Sequence, residues 1–66
     1  MRITVNGDVR DLADGACVSS LLESLALPSS RVAVEVNAVL VRRAQHTTHA
    51  LVDGDLVEIV TLVGGG

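Results

Sequence analysis

Residues 2–12 read RITVNGDVRDL, and this segment carries the clearest structural signal in the chain. Apolar and polar residues alternate through Ile3 and Val5, and a second short polar and apolar stretch follows. Asn6-Gly7 lies between the two stretches. A type I′ turn needs positive φ at both central residues, and these two residue types tolerate it best. The segment therefore predicts two antiparallel strands joined by a tight turn.

The period of the apolar residues changes after Asp14-Gly15, which is expected to end the hairpin. Apolar residues then recur at the i, i+3, i+4 and i+7 spacing of one helix face. They are Val18, Leu21, Leu22 and Leu25. This spacing predicts a helix of about nine residues. Leu27-Pro28 is expected to stop it, because a residue that precedes proline avoids the helical region.

Three further strands are expected in the second half of the chain. They are residues 32–36, 39–41 and 56–63. Asn37-Ala38 and Asp53-Gly54-Asp55 are expected to form turns, and the polar, poorly periodic residues 42–50 are expected to form a loop.

This order of elements predicts an α+β domain in which one helix packs on a mixed sheet of four to five strands. The β-grasp (ubiquitin-like) arrangement satisfies it, with the first and last strands parallel at the centre and a right-handed crossover. A ferredoxin-like split fold is the alternative, but it needs a second helical pattern. The expected domain covers residues 1–63, and residues 64–66 are expected to form a flexible tail.

Composition limits the classes of function. Eight carboxylates oppose five arginines, for a net charge of −3, which disfavours binding through nucleic-acid phosphates. One cysteine forms no internal disulfide, and no apolar run reaches the length of a membrane span. We therefore expect a cytoplasmic protein that binds neither nucleic acid nor membrane. Arg42-Arg43 is interpreted as a solvated loop, with docking to an acidic partner as the alternative.

Few residues suggest catalysis or metal binding. Asp53 and Asp55 flank a glycine and fit a turn better than an acid–base pair. His46 and His49 are spaced for two metal ligands, but a third and fourth ligand are not evident, so we expect solvated histidines and no metal. Cys17 stands near the helix N-terminus, where a thiol pKa could fall, but a small structural residue is the better interpretation. No catalytic residue is predicted.

The last three residues, Gly64-Gly65-Gly66, are the most informative feature for function. Glycine has no Cβ, so a triglycine could lie in a channel too narrow for other residues. A carboxylate on Gly66 would be sterically open, yet it is a poor electrophile until ATP converts it into an acyl-adenylate that a nucleophile can attack.

Five segments together are typical of a known family. They are Val5-Asn6-Gly7, Val18-Ser19-Ser20-Leu21-Leu22, Val32-Ala33-Val34-Glu35-Val36-Asn37, Asp53-Gly54-Asp55-Leu56-Val57-Glu58-Ile59-Val60 and Val63-Gly64-Gly65-Gly66. Through these segments the sequence resembles the ThiS family, the ubiquitin-like sulfur carriers of thiamin thiazole biosynthesis, and the resemblance covers essentially the whole chain. The glycine end is shared by all carriers of the superfamily, whereas the Glu-Val-Asn and Glu-Ile-Val segments together are more particular to ThiS.

The resemblance implies a protein co-substrate and not an enzyme. A ThiF-like enzyme would use ATP to adenylate Gly66, and a sulfur donor would convert it to a thiocarboxylate. A ThiG-like thiazole synthase would then receive the sulfur. Gly64, Gly65 and Gly66 would enter the partners' active sites, and the carrier itself would bind no cofactor.

Strand alternation adds a candidate partner surface. If Val57 and Ile59 face the helix, then Glu58, Val60 and Leu62 point outward beside the tail. They would form a partly apolar patch that fits a partner surface. The alternative is that Leu62 folds over a sheet edge.

Other functions remain open from the residues. The same carrier chemistry could serve molybdopterin, cysteine or secondary metabolism. A ubiquitin-like modifier would form bonds to lysines of other proteins, and a non-covalent β-grasp module would not need its tail.

Overall fold

A computed structural model describes residues 1–62 of the chain. Its regular elements are β1 (Arg2–Val5), β2 (Asp8–Asp11), α1 (Val18–Ser24), β3 (Val32–Val36), β4 (Val39–Val41) and β5 (Leu56–Thr61). Two short 3₁₀ turns, Ser29–Arg31 and Arg43–Gln45, precede β3 and follow β4. The predicted strand residue Val63 and the predicted tail lie outside the described residues.

The five strands form one mixed sheet in the order β2-β1-β5-β3-β4. β1 and β5 are parallel neighbours at its centre, and Thr4 is opposite Leu56 in that pair. The other pairings are antiparallel. The predicted β-grasp arrangement, with five strands and one helix, is therefore confirmed. No helix within residues 1–62 has the length and apolar character that crossing a membrane requires.

Both hairpins turn through two residues of positive φ, as a type I′ turn requires. Asn6 and Gly7 have φ of 50° and 87° in the first turn, which confirms the predicted hairpin. Asn37 and Ala38 have φ of 51° and 67° in the second turn, between β3 and β4.

The end of the helix differs from the prediction. α1 ends at Ser24, and the chain leaves it through Ala26, whose φ is +56°. The N–H of Ala26 donates to the Glu23 carbonyl at 3.0 Å, and the N–H of Leu27 donates to the Leu22 carbonyl at 2.9 Å. These are the two hydrogen bonds of a Schellman motif. The helix therefore stops at a left-handed alanine before it reaches the proline, and the predicted stop at Leu27-Pro28 was wrong.

The core lies between the helix and one face of the sheet. The predicted inward residues Val57 and Ile59 are both buried, which confirms the alternation of β5. The buried apolar side chains are Ile3, Val5, Val18, Leu21, Leu22, Val32, Val34, Val36, Val41, Leu51, Val57 and Ile59. The opposite face of the sheet has no helix over it in the described part of the chain.

Replacement of Ala26 by glycine is expected to stabilise the domain by about 0.5–1 kcal/mol. A left-handed conformation costs an L-residue about 1–2 kcal/mol, and glycine avoids this cost but loses more backbone entropy on folding. Chemical denaturation of Ala26→Gly measures the gain. Ala44→Gly, in a 3₁₀ turn of ordinary φ, should instead lose stability, and equal effects of the two changes would contradict the assignment.

Candidate functional site

The last described strand leads toward the predicted reactive end of the chain. β5 lies between β1 and β3, and its side chains alternate between the core and the outer face of the sheet. Val60 is 59% exposed and Leu62 is 50% exposed, and Glu58 is exposed as well. The N–H of Leu62 donates to the Arg31 carbonyl at 2.7 Å, so the backbone stays bonded to the segment that leads into β3. The predicted outward direction of these three residues is confirmed, and their role toward partners stays a prediction.

Asn6 fixes β5 from the first hairpin. Its side-chain Nδ2 donates to the Ile59 carbonyl at 3.0 Å, and its Oδ1 accepts from the Ile59 N–H at 2.8 Å. The backbone N–H of Asn6 also donates to the Val57 carbonyl at 2.9 Å. The amide side chain thus replaces a backbone unit and extends the β1–β5 ladder beyond the end of β1. The predicted turn residue therefore also sets the register of the last strand.

Asn37 fixes the beginning of β5 from the second hairpin. Its N–H donates to the Leu56 carbonyl at 2.7 Å, and its Oδ1 accepts from the Leu56 N–H at 2.9 Å. Its Nδ2 donates to Asp55 Oδ1 at 2.9 Å. Each hairpin therefore supplies one asparagine to β5, one near each end. Sequence patterns predicted the turns but not these contacts, because the partners lie far apart along the chain.

Asp53 and Asp55 have structural contacts. Asp55 is buried, and its Oδ2 accepts from the Val52 N–H at 2.9 Å. Asp53 Oδ1 accepts from the Arg2 N–H at 2.7 Å. Asp55 thus accepts a hydrogen bond within the turn that starts β5, and Asp53 joins this turn to β1, which agrees with the predicted turn role.

The loop after β4 supplies hydrogen-bond acceptors to the helix. The N–H groups of Val18 and Ser19, in the first turn of α1, donate to the carbonyls of His49 and His46 at 3.1 and 2.8 Å. First-turn N–H groups have no partner within a helix, and Cys17 at the N-cap is a weak acceptor. The loop must therefore fold against the helix, where residue 46 becomes enclosed.

His46 is only 2% exposed, so the expectation of a solvated histidine was wrong at this position. Its Nε2 lies 3.2 Å from the Val41 carbonyl, which can only accept, so Nε2 carries the ring proton. Its Nδ1 is buried without a hydrogen-bond partner among residues 1–62. His49 is half-buried. Within that range, no group of three or more histidine, cysteine, aspartate or glutamate side chains is placed to hold a metal.

Cys17 is half-buried at the start of α1. Its Sγ lies 3.1 Å from Ser19 Oγ and 3.3 Å from Ser20 Oγ. The hydrogen bond from Ser19, followed by that from Ser20, lowers the pKa of Cys17 to about 7. A hydroxyl that donates to sulfur favours the thiolate, so the cause is local hydrogen bonding.

A shallow cleft lies beside the first hairpin, lined by residues that include Asn6, Arg10, Leu25 and Thr61. Its volume is about 170 Å³. Pockets for drug-sized ligands usually measure roughly 300–1,000 Å³. Among the described residues, the exposed end of β5 therefore remains the strongest candidate for function, and Gly64, Gly65 and Gly66 lie outside that range.

Within residues 1–62, parallel β1 and β5, two asparagine-anchored hairpins and one covering helix define a β-grasp domain of the ubiquitin-like class. The ThiS family model matches residues 3–66, and the chain belongs to the ThiS family. It is 32% identical to the sulfur carrier protein ThiS of Escherichia coli (strain K12), over the full length of both chains. The crystal structure of the thiamine biosynthesis protein (ThiS) from Geobacter metallireducens matches with a TM-score of 0.84 and 33% identity, covering all of both chains.

A larger relative is also similar. The chain is 38% identical over its whole length to a thiazole synthase of Paramagnetospirillum magneticum (strain ATCC 700264 / AMB-1). The chain spans only 20% of that relative. A segment similar to this small domain is thus part of a longer polypeptide in that organism.

Replacement of Asn6 by aspartate is expected to lower the free energy of unfolding by about 1–3 kcal/mol. Aspartate tolerates the positive φ, but it loses the donor to the Ile59 carbonyl and places a carboxylate beside that oxygen. Chemical denaturation and amide exchange at Ile59 measure the effect. Asp8→Asn is the control, because it changes an exposed side chain of the same hairpin. It should change the free energy of unfolding by less than about 0.5 kcal/mol. A wild-type midpoint for Asn6→Asp would contradict the anchoring role.

Alkylation of Cys17 by iodoacetamide should reach half its maximal rate near pH 7, where the thiolate becomes the major form. Loss of the Ser19 hydroxyl in Ser19→Ala removes the main stabilisation of the thiolate, so the half-maximum should move to higher pH. Ser24→Ala is the control, because the Ser24 hydroxyl donates to the Leu21 carbonyl instead. Identical profiles for wild type and Ser19→Ala would refute the proposed cause.

Proposed function

We propose that this chain carries sulfur on its Gly66 carboxylate and delivers it to a thiazole synthase in thiamin biosynthesis. A ThiF-like enzyme joins the carboxylate to the AMP part of ATP and releases pyrophosphate. A sulfur donor then displaces AMP and leaves a thiocarboxylate. The chain acts as a co-substrate and not as an enzyme, and its domain presents the glycine tail to each partner.

The full-length match to a protein named sulfur carrier protein ThiS carries this proposal. The match to the ThiS family model extends to residue 66, so it includes the glycines that the chemistry requires. An adenylated glycine carboxylate has no neighbouring side chain to obstruct a nucleophile. The mechanism requires Gly66 to carry a free carboxylate.

A thiazole synthase as the receiving enzyme is supported by the larger relative. That protein is named thiazole synthase and contains a segment similar to the whole of this chain. Two domains on one polypeptide meet at a high effective concentration, an arrangement suited to direct transfer between them. A domain that is not joined to its partner would make the same encounter by binding.

The anchoring of β5 supports presentation of the tail. Asn6 holds Ile59, and Arg31 accepts a hydrogen bond from Leu62, so the strand is held up to the last described residue. A strand fixed at this point gives the following residues a defined origin. Positioning of a reacting group lowers the entropic part of a reaction barrier.

Intact-mass measurement after incubation with ATP, a ThiF-like enzyme and sulfide tests the carrier chemistry. The expected result is a mass increase equal to one oxygen-for-sulfur exchange, located at Gly66 by fragmentation. A chain without Gly66 is the control and should lose the exchange. No exchange with an adenylating enzyme that loads a known carrier would refute the proposal.

Replacement of Leu62 by aspartate is expected to slow the loading reaction about tenfold, which corresponds to 1.4 kcal/mol of lost interaction. The side chain is half-exposed on the outer face, so the fold should persist. Loading rate and denaturation midpoint are measured together. Val52→Asp alters another exposed apolar residue, before β5, and should load normally. Normal loading of Leu62→Asp would refute a partner role for Leu62.

A further inference from the structure

The outer face of the sheet carries an unusual arrangement of charge. Glu35 on β3 and Glu58 on β5 are directly opposite in the register, and Val34 and Ile59 beside them are buried. Both glutamates therefore point to the outer face, and both are exposed. Like charges directly opposite each other on neighbouring strands destabilise a sheet.

This charge is not neutralised within the described part of the chain. The ion pairs there join the N-terminus to Asp14 and Arg2 to Asp11, at the β1–β2 edge of the sheet. Glu35 and Glu58 take part in neither. The pair therefore presents two carboxylates outward, in the middle strands of a chain that is already acidic.

Exposed apolar residues surround the two carboxylates. Leu56 and Val60 are two positions before and after Glu58 on the same face, and each is 59% exposed. Leu40 on β4 is directly opposite Glu35 and is 58% exposed. This face departs from ordinary sheet patterns in two ways, because like charges face each other and because leucines are exposed to solvent. Such departures concentrate at functional sites.

We propose that this carboxylate face, formed by Glu35, Glu58, Leu40, Leu56 and Val60, binds an arginine of the thiazole synthase within an apolar contact. A planar guanidinium has five donors and can bond both carboxylates at once, whereas a lysine ammonium is a single point charge. The apolar residues around it exclude water, which strengthens the charge-assisted hydrogen bonds. The inference rests on the proposed function for the identity of its partner.

Two observations favour that occupant. The two carboxylates are complementary in charge to a cation. The apolar residues around them fit a protein surface better than a free ion in water. The carboxylate face is also continuous with Leu62, at the end of β5 that leads toward the glycine tail. A protein that receives the tail can therefore contact this face at the same time.

The test measures binding of the full chain to the thiazole synthase of the same genome by isothermal titration calorimetry. The double variant Glu35→Gln, Glu58→Gln keeps the shape of the face and removes both charges. The Kd of this variant should rise at least tenfold, and its binding should depend less on salt than that of wild type.

The denaturation midpoint of the same variant should rise, because the repulsion between the two strands is removed. Weaker binding then cannot result from unfolding.

A matched control changes net charge by the same amount elsewhere. The double variant Asp8→Asn, Glu23→Gln removes two exposed carboxylates on β2 and on the helix, and its Kd should stay within about twofold of wild type.

Equal losses of affinity in both double variants, or no loss of affinity in Glu35→Gln, Glu58→Gln, would overturn the inference. Absence of binding by wild type would overturn the partner, and a dimer in sedimentation that the first variant abolishes would assign the face to a second copy. Sulfur loading of wild type is measured separately, so failure of the carrier chemistry is a different result.

Discussion

The parallel pairing of β1 and β5 is the contact on which the rest of this structure depends. The two strands come from opposite ends of the chain, and Thr4 and Val5 are opposite Leu56 and Val57. The backbone ladder between them is short. Asn6 extends it with two side-chain hydrogen bonds to Ile59, and Asn37 secures the other side of β5. These amides hold the central strand from both neighbours, so the helix can pack on a sheet of fixed register.

The loop between β4 and β5 has a second structural role. Its polar composition is typical of a surface loop. Even so, the carbonyls of His46 and His49 accept hydrogen bonds from N–H groups in the first turn of the helix. Leu51, just after it, is buried in the core, and its N–H donates to the Ala16 carbonyl at 2.9 Å. The short helix is therefore stabilised by a distant segment as well as by the local contacts between Cys17 and Ser20. A seven-residue helix is marginal alone, so this support matters.

Short sequence patterns predicted the features of the fold that depend on neighbouring residues alone. The Asn6-Gly7 turn, the apolar face of α1 and the alternation of β5 follow from short-range conformational preferences and from the period of burial. The helix stop at Ala26, the burial of His46 and the asparagine contacts do not, because each depends on a partner that folding brings near. Glu58 was predicted to face outward, but its pairing with Glu35 needed the register of two strands.

Because the first and last strands, β1 and β5, are neighbours at the centre of the sheet, the sheet cannot be completed until β5 has been synthesised. When the ribosome has made β1 to β4, β1 and β3 still lack the strand that belongs between them. Their facing edges offer unpaired N–H and carbonyl groups until β5 emerges, and such edges favour association with other chains. The contact that closes the sheet spans almost the whole sequence, a feature that slows folding. The domain is thus completed only when the segment that precedes its glycine end has been synthesised.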